Sequence, residues 1–566
     1  MEFRKKRGIT NYSRTAYIML LPFLLLFIVT LLIPAVMSLG FSFSKVSTAI
    51  EFIGLENFIA IFKDPLFFKS YFNVFIFMLF SIPITIFLAL IFSVLLNKPT
   101  IKGKGFFRTV YYLPAITSIV AVSSVFLTFY NPTGLFNSVL ATIGLAPIPW
   151  LTDPFWARVS IIIISVWLNV GYYTVLFLAG LQNISTEIYE SADIDGANSL
   201  QKFFKITIPL LKPVVLMGMI LSTINGLGAF EVPNILFKNG FGPESSAVTV
   251  GVNLYKTSFE MVDFGKASAI AWTMVIIAAI LSIIQFIVGG KTMKRKLNPL
   301  LIYFVLLIGL VIFALPYVYM LIASTQSNDV ILGEKINFTI GPHFLRNIKE
   351  VQEKYDYIRV LINSGIITFV GTAVSTFITT LAGYVMAKYR FKGSNLIFNL
   401  VMISRMIPGF ATLIPTFYIL SKFGLTNTFA GVIIPSVAST TSVFMMRQYA
   451  QQFPNELMEA SRIDGASEWT IFWKVAVPVL TPSIITTALL TFMGYWNSYL
   501  IPLIVLSDSK KFTVPLIIQN MTQNNYDPLN YGALMAILAT SVIPIVLLYM
   551  FLQSKFKSNG LDSAIK

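Results

Sequence analysis

Long apolar runs recur along this chain, separated by short polar segments. They lie near 16–43, 71–96, 110–130, 159–181, 213–236 and 267–288, and again near 300–323, 361–386, 396–420, 430–446, 482–506 and 531–552. A helix needs about 20 apolar residues to cross the hydrocarbon of a bilayer, and each run reaches that length except 430–446, which is borderline. The pattern predicts an all-α integral membrane protein of about twelve transmembrane helices arranged as two six-helix halves. The expected halves are residues 1–292 and 293–566.

Two polar islands interrupt the apolar pattern at matching places. One is Glu187 to Pro213, EIYESADIDGANSLQKFFKITIPLLKP, and the other is Glu456 to Pro482, ELMEASRIDGASEWTIFWKVAVPVLTP. Landmarks of the second follow those of the first at one constant offset: Glu459 after Glu190, Gly465 after Gly196, Pro478 after Pro209. Repetition at this scale marks two structural units of one kind. Each island reads as a short acidic helix, a break and a second helix. Asp195-Gly196 and Asp464-Gly465 supply the break, because glycine accepts a positive φ that other residues resist. Asn198 and Ser467 then stand where an N-cap is needed. Glu187 and Glu190, like Glu456 and Glu459, are three apart and share one helical face. The second helix is expected to end at Pro209 or Pro478, where the missing N–H interrupts the hydrogen-bond ladder.

Composition narrows the function classes. Hydrophobic residues make up 56% of the 566 and charged ones 12%, against about 25% charged in soluble domains. The net charge of +16 is carried by Lys and Arg clusters between the apolar runs. That distribution encodes topology and not a nucleic-acid patch. The opening Arg4-Lys5-Lys6-Arg7 precedes an uncharged run far longer than a signal-peptide core of roughly 7–15 residues, so the run is read as an uncleaved first span entering from inside. Counting from there, every inward loop carries positive charge: Lys98/Lys102/Lys104/Arg108, Lys202/Lys205/Lys212, Lys291/Lys294/Arg295/Lys296, Lys388/Arg390/Lys392, Arg447/Arg462/Lys474 and Lys555/Lys557/Lys566. Both islands and both termini fall on the cytoplasmic side. The chain has no cysteine, which excludes disulfides and thiolate chemistry. The single histidine, His343, lies in a polar linker and reads as surface. Gly290-Lys291-Thr292 matches only the end of a phosphate-binding loop: Gln285 stands where glycine is required, and a membrane helix precedes it in place of a strand.

The islands carry a family resemblance. Glu190-Ser191-Ala192, Gly196 and Ile206-x-Ile208-Pro209, with Glu459-Ala460-Ser461, Gly465 and Val475-x-Val477-Pro478, resemble the EAA loop of ABC-importer permease subunits, whose pattern is Glu-Ala-Ala, three residues, Gly, nine residues, Ile-x-Leu-Pro. Ser191, Ser461 and Val475 are departures, and Ile208 and Val477 stand where the pattern has Leu. The two halves are similar to the two subunits of the carbohydrate (maltose/glycerol-phosphate-type) permease pair, joined in one chain. Supporting runs are Leu178-Ala179-Gly180-Leu181-Gln182, Phe230-Glu231-Val232, Gly240-Phe241-Gly242-Pro243, Arg405-Met406-Ile407-Pro408 and Tyr495-Trp496-Asn497-Ser498-Tyr499-Leu500-Ile501-Pro502-Leu503-Ile504. The resemblance implies a transport permease of a bacterial inner (cytoplasmic) membrane, not an enzyme, with no cofactor of its own. Two ABC ATPase subunits would bind ATP and Mg and seat one loop each, and an extracellular or periplasmic solute-binding protein would deliver a sugar. The implied ATPase-coupling residues are Glu187, Glu190, Ala192, Asp195, Gly196, Pro209, Glu456, Glu459, Ala460, Asp464, Gly465 and Pro478.

Sugar sites pair polar side chains with aromatic faces, and the segments after both islands offer them. The candidate substrate path is Asn225, Phe230 and Glu231 in the first half, and Arg405, Tyr495, Trp496, Asn497 and Tyr499 in the second. The competing reading makes Tyr and Trp an interfacial belt and the asparagines interhelical glue. An ion-coupled secondary sugar transporter is the other function class, since such carriers are also built from two six-helix halves. It would require ionisable side chains in several spans, and the runs contain few beyond Glu231 and Arg405. The halves join at Gly289-Gly290-Lys291-Thr292-Met293-Lys294-Arg295-Lys296, where Met293 and its basic cluster resemble the chain's own opening. The junction reads either as a gene fusion or as two subunits set end to end.

Overall fold

In the computed structural model, which describes residues 2–47, 49–97, 103–182, 184–288, 299–333, 337–405, 407–523 and 529–556, the fold is helical apart from one short antiparallel hairpin, Ser44–Val46 with Ile50–Phe52, registered with Lys45 opposite Glu51. The basic residues Lys98, Lys102, Lys291, Lys294, Arg295, Lys296, Lys557 and Lys566 lie outside the described residues, as do the Gly290-Lys291-Thr292 run, the junction and Met406.

Eight described helices are long and apolar enough to cross a membrane: Ser13–Ser42, Pro65–Asn97, Pro154–Gln182, Lys205–Leu227, Phe264–Ile287, Tyr357–Lys388, Glu468–Trp496 and Tyr531–Leu548. Helices prevail because hydrocarbon offers no partner for backbone N–H and C=O groups. Three further spans are broken pairs. Lys104–Ile116 turns by 96° into Ile119–Phe129, Ser394–Ser404 by 102° into Gly409–Lys422, and Phe429–Val437 by 44° into Thr440–Gln451. That makes up to eleven spans among the described residues, six in the first sequence half and five in the second, which also holds the apolar helix Pro299–Ala323. The apolar runs near 110–130, 396–420 and 430–446 do not show these breaks, because hydropathy reports composition and not direction.

A second difference concerns Pro209 and Pro478. The chain does not leave the helix there. Ser199–Lys202 passes through a π-helical turn, Phe203–Thr207, into Ile208–Leu227, and Glu468–Ile471 passes through Phe472–Ala476 into Val477–Trp496. Each proline sits in the first turn after the π-turn. The wider i→i+5 turn tolerates both the absent N–H and the ring.

The helices pack as two compact units that cross the sequence halves. One unit gathers the chain up to Gly40, Tyr355–Ile517 and the stretch from Ser541; the other gathers Phe41–Lys354 and Ile518–Thr540. Each half thus lends its first span to the unit built mainly from the other half. In the first unit the spine is Tyr357–Lys388. Tyr17 of the N-terminal span donates to the Lys392 carbonyl at 2.6 Å and meets Phe391 edge-on at 5.1 Å. Ser375 donates to the Val437 carbonyl at 2.8 Å. A Cβ at Gly371 would fall 2.7 Å from the Tyr495 ring, and one at Gly383 would fall 2.8 Å from the Arg447 backbone nitrogen. Small residues at helix crossings let backbones approach closely where the hydrophobic effect supplies no force between helices.

In the other unit, Pro65–Asn97 runs along Pro154–Gln182, with Tyr173, Phe177, Ile86 and Ala89 in its core. Thr117 and Tyr317 share a hydrogen bond of 2.8 Å, and the Trp167 indole donates to the Ile312 carbonyl at 3.1 Å. These contacts fix Pro299–Ala323 in a unit otherwise drawn from the first half.

Replacing Gly383 by Ala forces the spine away from Thr440–Gln451 and is expected to cost about 1–3 kcal/mol, read as a lower melting temperature in detergent. Gly365→Ala on the same helix, where an added Cβ meets nothing within 4 Å, leaves the melting temperature unchanged or higher.

Candidate coupling loops and helix breaks

The two polar islands fold alike. The first helices are Thr186–Ile194 and Asn455–Ile463. Every boundary from there to Leu236 and Val505 repeats at the offset of the sequence landmarks: Asn455 after Thr186, Trp496 after Leu227, Leu500 after Glu231. Gly196 at φ 73° and Gly465 at φ 81° are left-handed. The Ala197 N–H reaches the Ala192 carbonyl at 2.8 Å, and Ala466 reaches Ser461 at 3.0 Å, the six-to-one bond that closes a helix C-terminus. Space around both glycines is open, so backbone conformation and not crowding calls for glycine.

The next helices begin on the expected caps. Asn198 Oδ1 accepts from the Gln201 N–H at 3.0 Å, and Gln201 Oε1 accepts from the Asn198 N–H at 2.8 Å, a reciprocal capping box. Ser467 Oγ accepts from the Thr470 N–H at 3.2 Å. Glu187, Glu190, Asp195, Gly196 and Pro209 are exposed and Ala192 is half-buried; Glu456, Glu459, Ala460, Asp464, Gly465 and Pro478 are all exposed. Between the acids stands a feature that sequence reading passed over. Ile194 is 88% exposed and Ile463 86%, both at the last position of the first helix. Their places in an Ile-Asp-Gly run carried the signal, but an isoleucine in a largely apolar chain attracts no notice.

The candidate path residues divide between the units. Asn225, Phe230 and Glu231 belong to one, and Arg405, Tyr495, Trp496, Asn497 and Tyr499 to the other. Glu231 and Arg405 do not lie within continuous spans. The helix that was expected to run to Leu236 ends at Leu227, and Glu231 opens the separate short helix Glu231–Leu236. Arg405 caps Ser394–Ser404 at the 102° break, its guanidinium carbon 5.3 Å from the Phe444 ring centroid. Non-helical backbone at membrane depth is tolerated where protein or a cavity satisfies it, and both ionisable residues occupy such positions.

The matching break in the second half gathers its aromatic group. Val477–Trp496 ends, Asn497 caps it, and Tyr499 precedes Leu500–Val505. Tyr495 donates to the Ile433 carbonyl at 3.0 Å and the Trp496 indole to the Ser541 carbonyl at 3.0 Å. Trp496 also stacks on Phe492 at 6.1 Å. Both polar atoms are therefore engaged in holding helices together. Phe230 and Tyr499, counterparts at the repeat offset, are buried, and Phe230 packs on Tyr255 at 5.0 Å. Asn225 is exposed.

The repeated loops on a two-by-six helical frame agree with what known proteins show. The family model of the "Binding-protein-dependent transport system inner membrane component" matches residues 58–294 and again 379–558. The chain belongs to this family. Within it, the chain is similar to the lactose transport system permease protein LacF of Rhizobium radiobacter, 39% identical over 280 residues that make up 49% of this chain and 94% of that protein. It is also similar to LacG of the same organism, 31% identical over 272 residues, 48% of this chain and 98% of that one. The arabinooligosaccharides transport system permease protein AraP of Halalkalibacterium halodurans is 34% identical over 281 residues, 49% of this chain and 88% of its own length. Relatives of half this length are thus spanned almost whole, as a joined pair of permease domains requires.

Ser467→Ala removes the cap acceptor and is expected to weaken the start of Glu468–Ile471 by about 1 kcal/mol. Amide exchange at Thr470 should speed up roughly fivefold, with Ser467→Thr close to the parent.

Proposed function

We propose that the chain is the membrane permease of an importer for a sugar or oligosaccharide, driven by two separate ATPase subunits. The observation that carries this reading is the pair of exposed, register-matched loops, each presenting two carboxylates and an uncovered isoleucine, in a chain of the binding-protein-dependent transport family. A solvated loop has no use for an isoleucine left almost fully in water. A docking element does, because burying it against a partner yields on the order of 2 kcal/mol. Two equivalent loops fit two equivalent partners, and each loop inserts into one ATPase.

ATP and Mg belong to those partners; the chain holds no cofactor of its own. Nucleotide-driven approach of the ATPases moves the loops and switches the pore between outward and inward access, a transmission that needs a rigid element with two arrangements. Solute arrives from a binding protein outside the cell. The membrane is the bacterial inner (cytoplasmic) membrane with both termini inside, following the distribution of Lys and Arg.

The sugar class rests on the lactose and arabinooligosaccharide relatives. We assign substrate contact to the two helix breaks, with Glu231, Asn225 and Phe230 at one and Asn497, Tyr499 and Arg405 in the other unit. Tyr495 and Trp496 hold the second break in shape.

Reversing charge at Glu190 and Glu459 together is expected to abolish uptake of radiolabelled lactose or arabinooligosaccharide, whichever the parent carries, while the protein stays in the membrane at parental level. Undiminished uptake in the double variant would rule the loops out as the coupling elements.

A further inference from the structure

The second loop is bolted to its unit at both ends, and both bolts come from two adjacent residues at the end of the spine helix. Lys388, the last residue of Tyr357–Lys388, donates to the Phe453 carbonyl at 2.5 Å and to Asn455 Oδ1 at 2.9 Å, and lies 3.4 Å from the Gln451 carbonyl. It thereby ties the C-terminus of Thr440–Gln451 to the N-terminus of the loop's first helix, where an ammonium satisfies the orphan carbonyls. Tyr389 donates to Glu468 Oε2 at 2.6 Å. Glu468 in turn receives both arms of Arg462, Nε to Oε1 at 2.7 Å and Nη2 to Oε2 at 3.0 Å. The Glu468 side chain is 10% exposed and that of Arg462 25%.

Arg462 closes the loop's first helix and Glu468 opens its second. The bidentate pair therefore fixes the angle across Asp464-Gly465, and Tyr389 anchors that corner to the spine. Bidentate arginine–carboxylate geometry adds orientation as well as energy, and partial burial protects it from screening. The first loop differs in sequence at this corner. At the corresponding positions it carries Asp193 and Ser199, which cannot form an arginine–carboxylate pair. Besides its capping box, its described side-chain bonds include Tyr189 with Thr207 at 3.0 Å and Thr207 to the Lys202 carbonyl at 3.2 Å, both within the loop itself.

We propose that Lys388 and Tyr389 are positioning residues that, through Glu468 and Arg462, make the second loop and the spine helix one rigid lever, with a corner that Asp193 and Ser199 of the first loop cannot reproduce. The proposal rests on the reading of the loops as ATPase docking elements only for its consequence, that force entering the second loop is delivered into Tyr357–Lys388 without slack. The stiffness itself is a property of this chain.

The absence of native cysteine permits site-specific spin labels at Ile463→Cys, on the loop tip, and Ile362→Cys, on an exposed position of the spine. A second pair at Ile194→Cys and Phe75→Cys reports the first loop. Pulsed dipolar spectroscopy on the full chain in nanodiscs, without partners, is expected to give a narrow 463–362 distribution. The variant R462D/E468S, which places the first loop's residues at the matching positions, should widen it roughly twofold, and Y389F should widen it less. Equal widths in the parent, R462D/E468S and Y389F would overturn the lever. Y389F decides the matter if the double variant does not fold.

With the ATPase subunits bound, ATP plus vanadate should shift the 463–362 distance by less than about 2 Å, and the 194–75 distance by more. A larger shift at 463–362 than at 194–75 would also overturn it. Failure of the ATPases to bind would count against the docking reading and leave the partner-free widths as the test of the lever.

Discussion

Every backbone polar group that enters hydrocarbon must find its partner inside the protein, and the rest of this structure follows from that constraint. It makes the spans helical and confines departures from helix to places where something else supplies the missing bonds. At Pro209 and Pro478, where the polar islands pass into the next spans, a π-turn accommodates the missing N–H donor. At the breaks before Glu231 and Leu500, buried aromatic residues and capping carbonyls enclose the irregular backbone. The same constraint gives polar side chains their value as interhelical ties: Ser375 on Val437, Tyr495 on Ile433 and Trp496 on Ser541.

The two loops escape the constraint, because they lie among the polar, charged segments of the chain. What holds them is ordinary soluble-protein chemistry, namely left-handed glycines, a capping box and a serine cap. They differ in how they are tied down. One is latched to its spine by an arginine–glutamate–tyrosine corner and a lysine, and the other carries aspartate and serine at those positions. Two copies of one plan thus share the exposed loop and its caps and differ in the residues at its corner.

Much of this was legible in the sequence. The spacing of apolar runs located the eight continuous spans, the three bent pairs and the apolar helix Pro299–Ala323, and the constant offset between the polar islands located both loops. Gly196, Gly465, Asn198 and Ser467 were identifiable because turn and cap chemistry is local. Three things were not. Bends of 96° and 102° within apolar runs leave no mark on hydropathy. The continuation of helix through Pro209 and Pro478 depends on a π-turn whose wider hydrogen-bond pattern has no residue signature. The exchange of first spans between units is a matter of long-range packing, of Tyr17 against Lys392 and Tyr317 against Thr117, which local pattern does not encode. Among the candidate path residues, type alone could not separate Tyr495 and Trp496, whose polar atoms hold helices together, from Asn497 and Glu231 at the breaks.

The central claim is that each loop seats one ATPase. A photo-activatable maleimide attached at Ile194→Cys or Ile463→Cys, in a chain otherwise free of cysteine, tests it on membranes from the native host. The account predicts that each single label cross-links an ATPase subunit and that the doubly labelled chain captures two. Cross-linking from neither position, with the label in place and the protein in the membrane, would contradict it.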